Sequence, residues 1–139
     1  MLRFFIIGSV GYPLLELLYR RRTHPAMALA GGLSLCALRA IHLRSSKRPL
    51  WQAAIGGGLC ITGIEYVIGR ALNRRHQIWD YRAMPCQYRG QVCLPFFAVW
   101  CGLSAAALGV MRRLEPNGSI TLSPGYQRYG RWPCRPRRG

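Results

Sequence analysis

At 139 residues the chain is one domain by length, and its 20 Lys and Arg against 4 Asp and Glu give a formal net charge of +16. That charge leaves two broad partners, nucleic acid or an anionic membrane surface. The mean hydropathy of +0.06 hides a segregation into four long, nearly charge-free runs, which a soluble fold of this size has no reason to hold and which select the membrane.

The first run covers residues 2–19 and contains Gly8, Gly11 and Pro13, all tolerated in membrane helices where neighbours re-satisfy the backbone. The competing reading is a cleaved signal peptide, with Arg3 as its basic end and Ala28-Leu29-Ala30 as its cleavage site. Against it, Arg20-Arg21-Arg22 separates the apolar core from that site, and three more apolar runs follow.

The second run, residues 26–43, follows Pro25, which suits a first helical turn; its one charge, Arg39, lies near the end, where it can snorkel to the headgroups. The third, Leu50–Leu72, carries Gly56, Gly57, Gly58 and Gly63, which favour close helix packing. The fourth, residues 92–111, pairs Gly102 with Ala106 and Ala105 with Gly109 at a spacing that permits a tight interhelical contact. These runs predict an all-α polytopic membrane protein with four transmembrane helices in a bundle, over residues 1–111. Residues 112–139 turn to Pro, Gly, Arg and Tyr, and are expected to form a basic, disordered cytoplasmic tail.

Charge sets the orientation. Arg3, the loop-two group Arg39, Arg44, Lys47 and Arg48, and the seven arginines from Arg112 onward share one side, twelve in all. Arg20, Arg21, Arg22, Arg70, Arg74, Arg75, Arg82 and Arg89 make eight on the other. The excess predicts both termini in the cytoplasm; the membrane expected is the plasma (inner) membrane.

Six cysteines do not make a disulfide framework. Cys36, Cys60 and Cys101 lie in apolar runs as small hydrophobes, Cys134 lies in the tail, and Cys86 and Cys93 can bridge if their loop is extracytoplasmic. No CxxC is present and His24, His42 and His76 lack zinc spacing, so neither a metal nor a cofactor is expected.

Two of the four acids, Glu16 and Glu65, lie inside spans. An ionisable group at depth costs at least about 2.5–3.5 kcal/mol and normally faces the protein interior with a partner. Glu16 comes 14 residues after Leu2 and Glu65 15 after Leu50, so at about 1.5 Å per residue they reach similar depths near the mouth opposite the tail. Either each is neutralised locally, Glu16 by Arg20 and Glu65 by a loop arginine, or both face one cavity and bind a cationic or hydrogen-bonding ligand or carry protons. GYPLLELLYRRR and GIEYVIGRALNRR each set a glutamate ahead of a basic run, a faint parallel repeat.

Glu65-Tyr66, then Trp79-Asp80-Tyr81-Arg82, Pro85, and Gly90-Gln91-Val92-Cys93-Leu94 form the most specific stretch. Together with Gly11-Tyr12 to Glu16, it resembles the CmpB-like ABC-transporter type IV permease family, over about a third of the chain. The family's Asn before the Gly is replaced around Gln87, and its Gly-Pro-rich segment between spans one and two is absent. The resemblance implies a permease subunit that moves a substrate together with a separate P-loop ATPase chain. This chain has no G-x-x-x-x-G-K-[ST], and its only lysine is Lys47. The alternative is a structural or regulatory membrane protein that binds lipid or a partner protein.

Candidate ligand-binding residues are therefore Glu16, Glu65, Tyr12, Tyr66, Trp79, Asp80, Tyr81, Arg82 and Gln91; none is assigned a catalytic role, although an intramembrane enzyme using the two glutamates as acid and base is the other chemistry open to them. In the loop of residues 73–91, Trp79 and Tyr81 suit an interface, Asp80 and Arg82 can pin the loop to helix ends, and Gly90 permits close approach. That loop is either a cap over the bundle or a gate. The tail interleaves Arg with Tyr126, Tyr129 and Trp132, a pattern that suits anionic lipid beside a membrane domain better than single-stranded nucleic acid.

Overall fold

The computed structural model describes residues 1–45 and 48–115. Lys47 and the tail beyond Glu115 lie outside the described residues. Among the described residues there are four helices, α1 (Leu2–Arg20), α2 (Pro25–Ser45), α3 (Leu50–Leu72) and α4 (Leu94–Leu114), each long and apolar enough to cross a membrane. Pro25 opens α2, where a missing N–H costs nothing. The next free amide, Ala26 N–H, donates to His24 Nδ1 at 3.1 Å.

The side chains are arranged for lipid. Ile6, Val10, Leu14 and Leu18 of α1 are exposed, as are Leu59 and Val67 of α3, whereas α1 buries only Gly8 and Glu16. In water such an arrangement would leave a large apolar surface wet; in a bilayer it places aliphatic groups against hydrocarbon and turns the single acid inward.

Small residues set the helix contacts. A Cβ at Gly8 would run into the Gly31 carbonyl, and one at Gly32 would lie 2.7 Å from the Phe5 ring, so α1 lies directly on α2. On the other side, Gly57 and Gly58 of α3 leave room for Ser104 and Cys101 of α4. The central helix is α2, which packs on α1, α3 and α4. The contact expected of Gly102, Ala106, Ala105 and Gly109 is not made within the bundle: Gly102 and Gly109 face open space, because α4 meets α3 through Cys101 and Ser104 instead. Gly56 and Gly63 are likewise open.

The fourth span begins later than its apolar run. Val92–Cys93 pairs antiparallel with Gln87–Tyr88, and the helix then starts at Leu94 with Pro95 in its first turn. Between these two-residue strands, Arg89 (φ 52) and Gly90 (φ 65) both take left-handed backbone, which a tight hairpin turn of the type I′ kind requires. Cys86 is exposed and Cys93 buried, and both are free thiols, not a bridge. At its other end α4 runs past Met111 to Leu114, so Arg112 and Arg113 are helical. Arg112 donates to the Ser45 and Arg48 carbonyls at 3.2 and 2.9 Å, and Arg39 pairs with Glu115 at 2.5 Å, tying the three helix ends together on that side.

Candidate functional site

Glu65 is 4% exposed, turned into the bundle by α3. Tyr81 O–H donates to its Oε1 and Trp100 Nε1–H to its Oε2, each at 2.9 Å. Phe96 stacks on Tyr81 at 4.7 Å between centroids and lies 5.9 Å from Trp100, and Tyr12 of α1 approaches Trp100 at 5.8 Å. Residues from α1, α3, α4 and the loop thus close around one carboxylate. No ion pair reaches it among the described residues. The loop arginine expected beside Glu65 is not there, because Arg74, Arg75, Arg82 and Arg89 are all exposed. Tyr and Trp enter instead, since each brings a polar donor on an apolar body.

The loop that delivers Tyr81 is fixed by two amides. Asn73, 1% exposed, donates to the Trp79 carbonyl at 2.6 Å and accepts from Ile78 N–H at 2.9 Å. Gln91, also buried, donates to the Asn73 carbonyl at 3.1 Å, while its own carbonyl accepts Trp79 Nε1–H at 2.9 Å. Gly69 lets Gln91 lie directly against α3: a Cβ there would collide with the Gln91 side chain. Burial first, and then the Glu65 carboxylate, push the Tyr81 hydroxyl above its ordinary pKa, which keeps it a donor.

Asp80 and Arg82 do not pin the loop to the helix ends. Both are exposed and grip each other, with contacts of 2.6–3.0 Å, as an i,i+2 pair turned to solvent. The hydrogen bonds from Arg82 hold the Asp80 carboxyl down to about 2. Tyr66 lies outside the Glu65 cluster, its ring against Tyr88 at 5.7 Å.

Glu16 has a different setting. It accepts from Arg20 one turn on and from Thr23 Oγ1 at 2.9 Å, and it lines a cavity of about 520 Å³ with Arg20, Arg22, Thr23, His24, Gln77 and Ile78. Both acids are buried, but only Glu16 lines that cavity. Tyr12 connects them: it precedes Glu16 by one helical turn and touches Trp100, the indole that holds Glu65.

Three residues that organise the site carry no marked signal in the sequence: Trp100, Asn73 and Thr23. Trp100 was visible only as one more apolar residue in its span, although a buried indole N–H needs an acceptor and the spans offer few. Asn73 directly follows α3, a position where a polar residue is ordinary. Among the described residues, no cluster of three or more His, Cys, Asp or Glu side chains is placed to hold a metal ion.

A four-helix bundle that turns aliphatic side chains outward and encloses an acid beneath an ordered loop is a polytopic α-helical membrane protein. The family model ABC_trans_CmpB, described as Putative ABC-transporter type IV, matches residues 2–124, and the chain belongs to that family. Among curated proteins and among solved structures, none matches. The family makes this a transporter-related membrane protein.

Proposed function

We propose that the chain is a permease-like membrane subunit working with a separate P-loop ATPase chain, and that the Glu65 cluster is where its cargo or a coupled proton engages. The observation behind this reading is a carboxylate inside a span, with both oxygens on neutral donors and no ion pair to it among the described residues. Such a group is costly in a bilayer, and intramembrane acids are functional sites by default. Tyr81 links the acid to the loop, so a shift of the loop changes the carboxylate's hydrogen bonding. Both termini lie in the cytoplasm in this reading, in the plasma (inner) membrane, with the tail of residues 116–139 on anionic lipid; nucleic acid is not a partner. The second reading, a structural or regulatory membrane protein, is favoured by the closed hydrogen-bond set of Asn73, Gln91 and Trp79, which suits a fixed cap.

Affinity purification of the full chain from its native membrane decides between them. A P-loop ATPase recovered in stoichiometric amount, whose hydrolysis falls when the subunit carries Glu65→Gln, supports the permease reading; recovery of no ATPase, with none encoded beside the gene, supports the structural one. Reporter fusions after Thr23, Lys47, Met84 and Ser123 check the orientation: Thr23 and Met84 should report one side, Lys47 and Ser123 the other.

A further inference from the structure

The cavity beside Glu16 is one of two that adjoin. The second, of about 340 Å³, shares His24, Gln77 and Ile78 with the first and adds Arg74 and Arg75. Four guanidinium groups therefore border the pair, against the single carboxylate of Glu16.

The few acids of the chain leave a surplus of positive charge at this mouth. The sequence has only four acidic side chains, Glu16, Glu65, Asp80 and Glu115. Glu16 is taken by Arg20, Asp80 by Arg82 and Glu115 by Arg39, while Glu65 is enclosed by Tyr81 and Trp100. No side-chain carboxylate is left for Arg22, Arg74 and Arg75, so their counter-charge comes from outside the chain. Two more of the lining side chains can donate. His24 accepts the Ala26 amide on Nδ1, which leaves Nε2 as its N–H, and Gln77 adds an amide. Planar, multi-donor guanidinium groups match the oxygens of a phosphate better than ammonium groups do. A space of this size also falls in the range of small-ligand sites.

We infer that this mouth, at the end of the bundle opposite Glu115, is a binding site for a phosphate group, with Arg22, Arg74, Arg75 and His24 as its donors. Glu16 holds Arg20 at the rim as a positioning residue. The phosphate is either the headgroup of an anionic phospholipid in the surrounding leaflet or a free phosphate in solution. The inference is independent of any ATPase, and its test contains none.

The test uses the full chain in nanodiscs of phosphatidylcholine, titrated with inorganic phosphate at constant ionic strength and followed by thermal unfolding and calorimetry. In parallel, the same protein is placed in discs containing phosphatidylglycerol. Arg22→Gln combined with Arg75→Gln removes two donors whose side chains make no hydrogen bond among the described residues, so the bundle stays folded. Arg113→Gln, on the opposite side, controls for diffuse charge. A saturable response to phosphate that weakens about tenfold or more in the double variant and not in Arg113→Gln identifies free phosphate as the ligand. The same loss seen only with phosphatidylglycerol identifies a lipid headgroup. No saturable response in either disc, or an equal loss in Arg113→Gln, overturns the inference.

Discussion

Glu16 and Glu65 begin as equivalents: one acid in each of two spans, at similar distances from the start, each followed by arginines. The fold makes them opposites. Glu16 pairs with an arginine whose side chain is 40% exposed, at the edge of a cavity. Glu65 is held by a phenol and an indole, with no ion pair among the described residues and no place on that cavity. Desolvating both charges of an ion pair can cost more than their attraction returns, and that cost is smaller where the arginine head still reaches water, as that of Arg20 does. At the rim the pair forms; deeper in the bundle, neutral donors on apolar bodies take over.

The largest expected effect tests the neutral cage. Glu65→Leu leaves the Trp100 N–H and the Tyr81 O–H without an acceptor, a loss on the order of 2–5 kcal/mol in unfolding free energy, measured by denaturant titration in detergent. Glu65→Gln should lose less than about 1 kcal/mol: its carbonyl accepts Trp100 N–H, and its amide donates to the Tyr81 hydroxyl, which also accepts. If the two variants unfolded alike, the hydrogen bonds would not be what holds this acid.

Next comes the loop on which the cage depends. Asn73→Ala strands the Ile78 N–H and the Trp79 carbonyl, both now bonded to its side chain, and should cost about 2–4 kcal/mol. Hydrogen exchange would show the loss across residues 73–91 first. Uniform destabilisation of all four helices, with no local loosening, would contradict the assignment of Asn73 as the loop's anchor.

For Glu16 the expected change is smaller. Glu16→Gln keeps an acceptor for Thr23 and frees a guanidinium that already touches solvent, so screening holds the loss to less than about 1 kcal/mol, decreasing as salt is raised. A salt-insensitive loss as large as that of Glu65→Leu would place Glu16 in the same class as Glu65 and end the contrast.

The smallest effect lies in acid. Arg82 lowers the Asp80 carboxyl from its ordinary 3.8 to about 2, so the folded state binds this proton less readily than the unfolded chain. The contribution is present above the ordinary value and is lost as pH falls through the folded one, so stability should fall with acidification across that window. Asp80→Asn should flatten the slope there and lower stability slightly and evenly between pH 6 and 8. An unchanged acid slope in the variant would show that this exposed pair is not coupled to folding.

Much of this was legible in the residues. Four apolar runs predicted four spans, and Leu50–Leu72 was placed to the residue, because hydrocarbon tolerates few charges and Pro49 and Asn73 bound the run. The inward turn of both acids and the i,i+4 partner of Glu16 follow from membrane cost and helical spacing alone. The family was legible too, from the motif that runs from Glu65 through Leu94. Tertiary structure alone decided the rest. Which residue answers Glu65 depends on Tyr81 and Trp100, 16 and 35 positions away, brought together by the Asn73–Gln91 network and by the Gly57 and Gly58 contact with α4. Such contacts leave no periodic mark in the sequence, because an indole serving a carboxylate and an indole merely packed in a span are the same letter. The fate of the arginines was hidden for the same reason: composition counts charges, but only the fold shows that the four acids are already engaged and that none of them pairs with Arg22, Arg74 or Arg75 at one mouth.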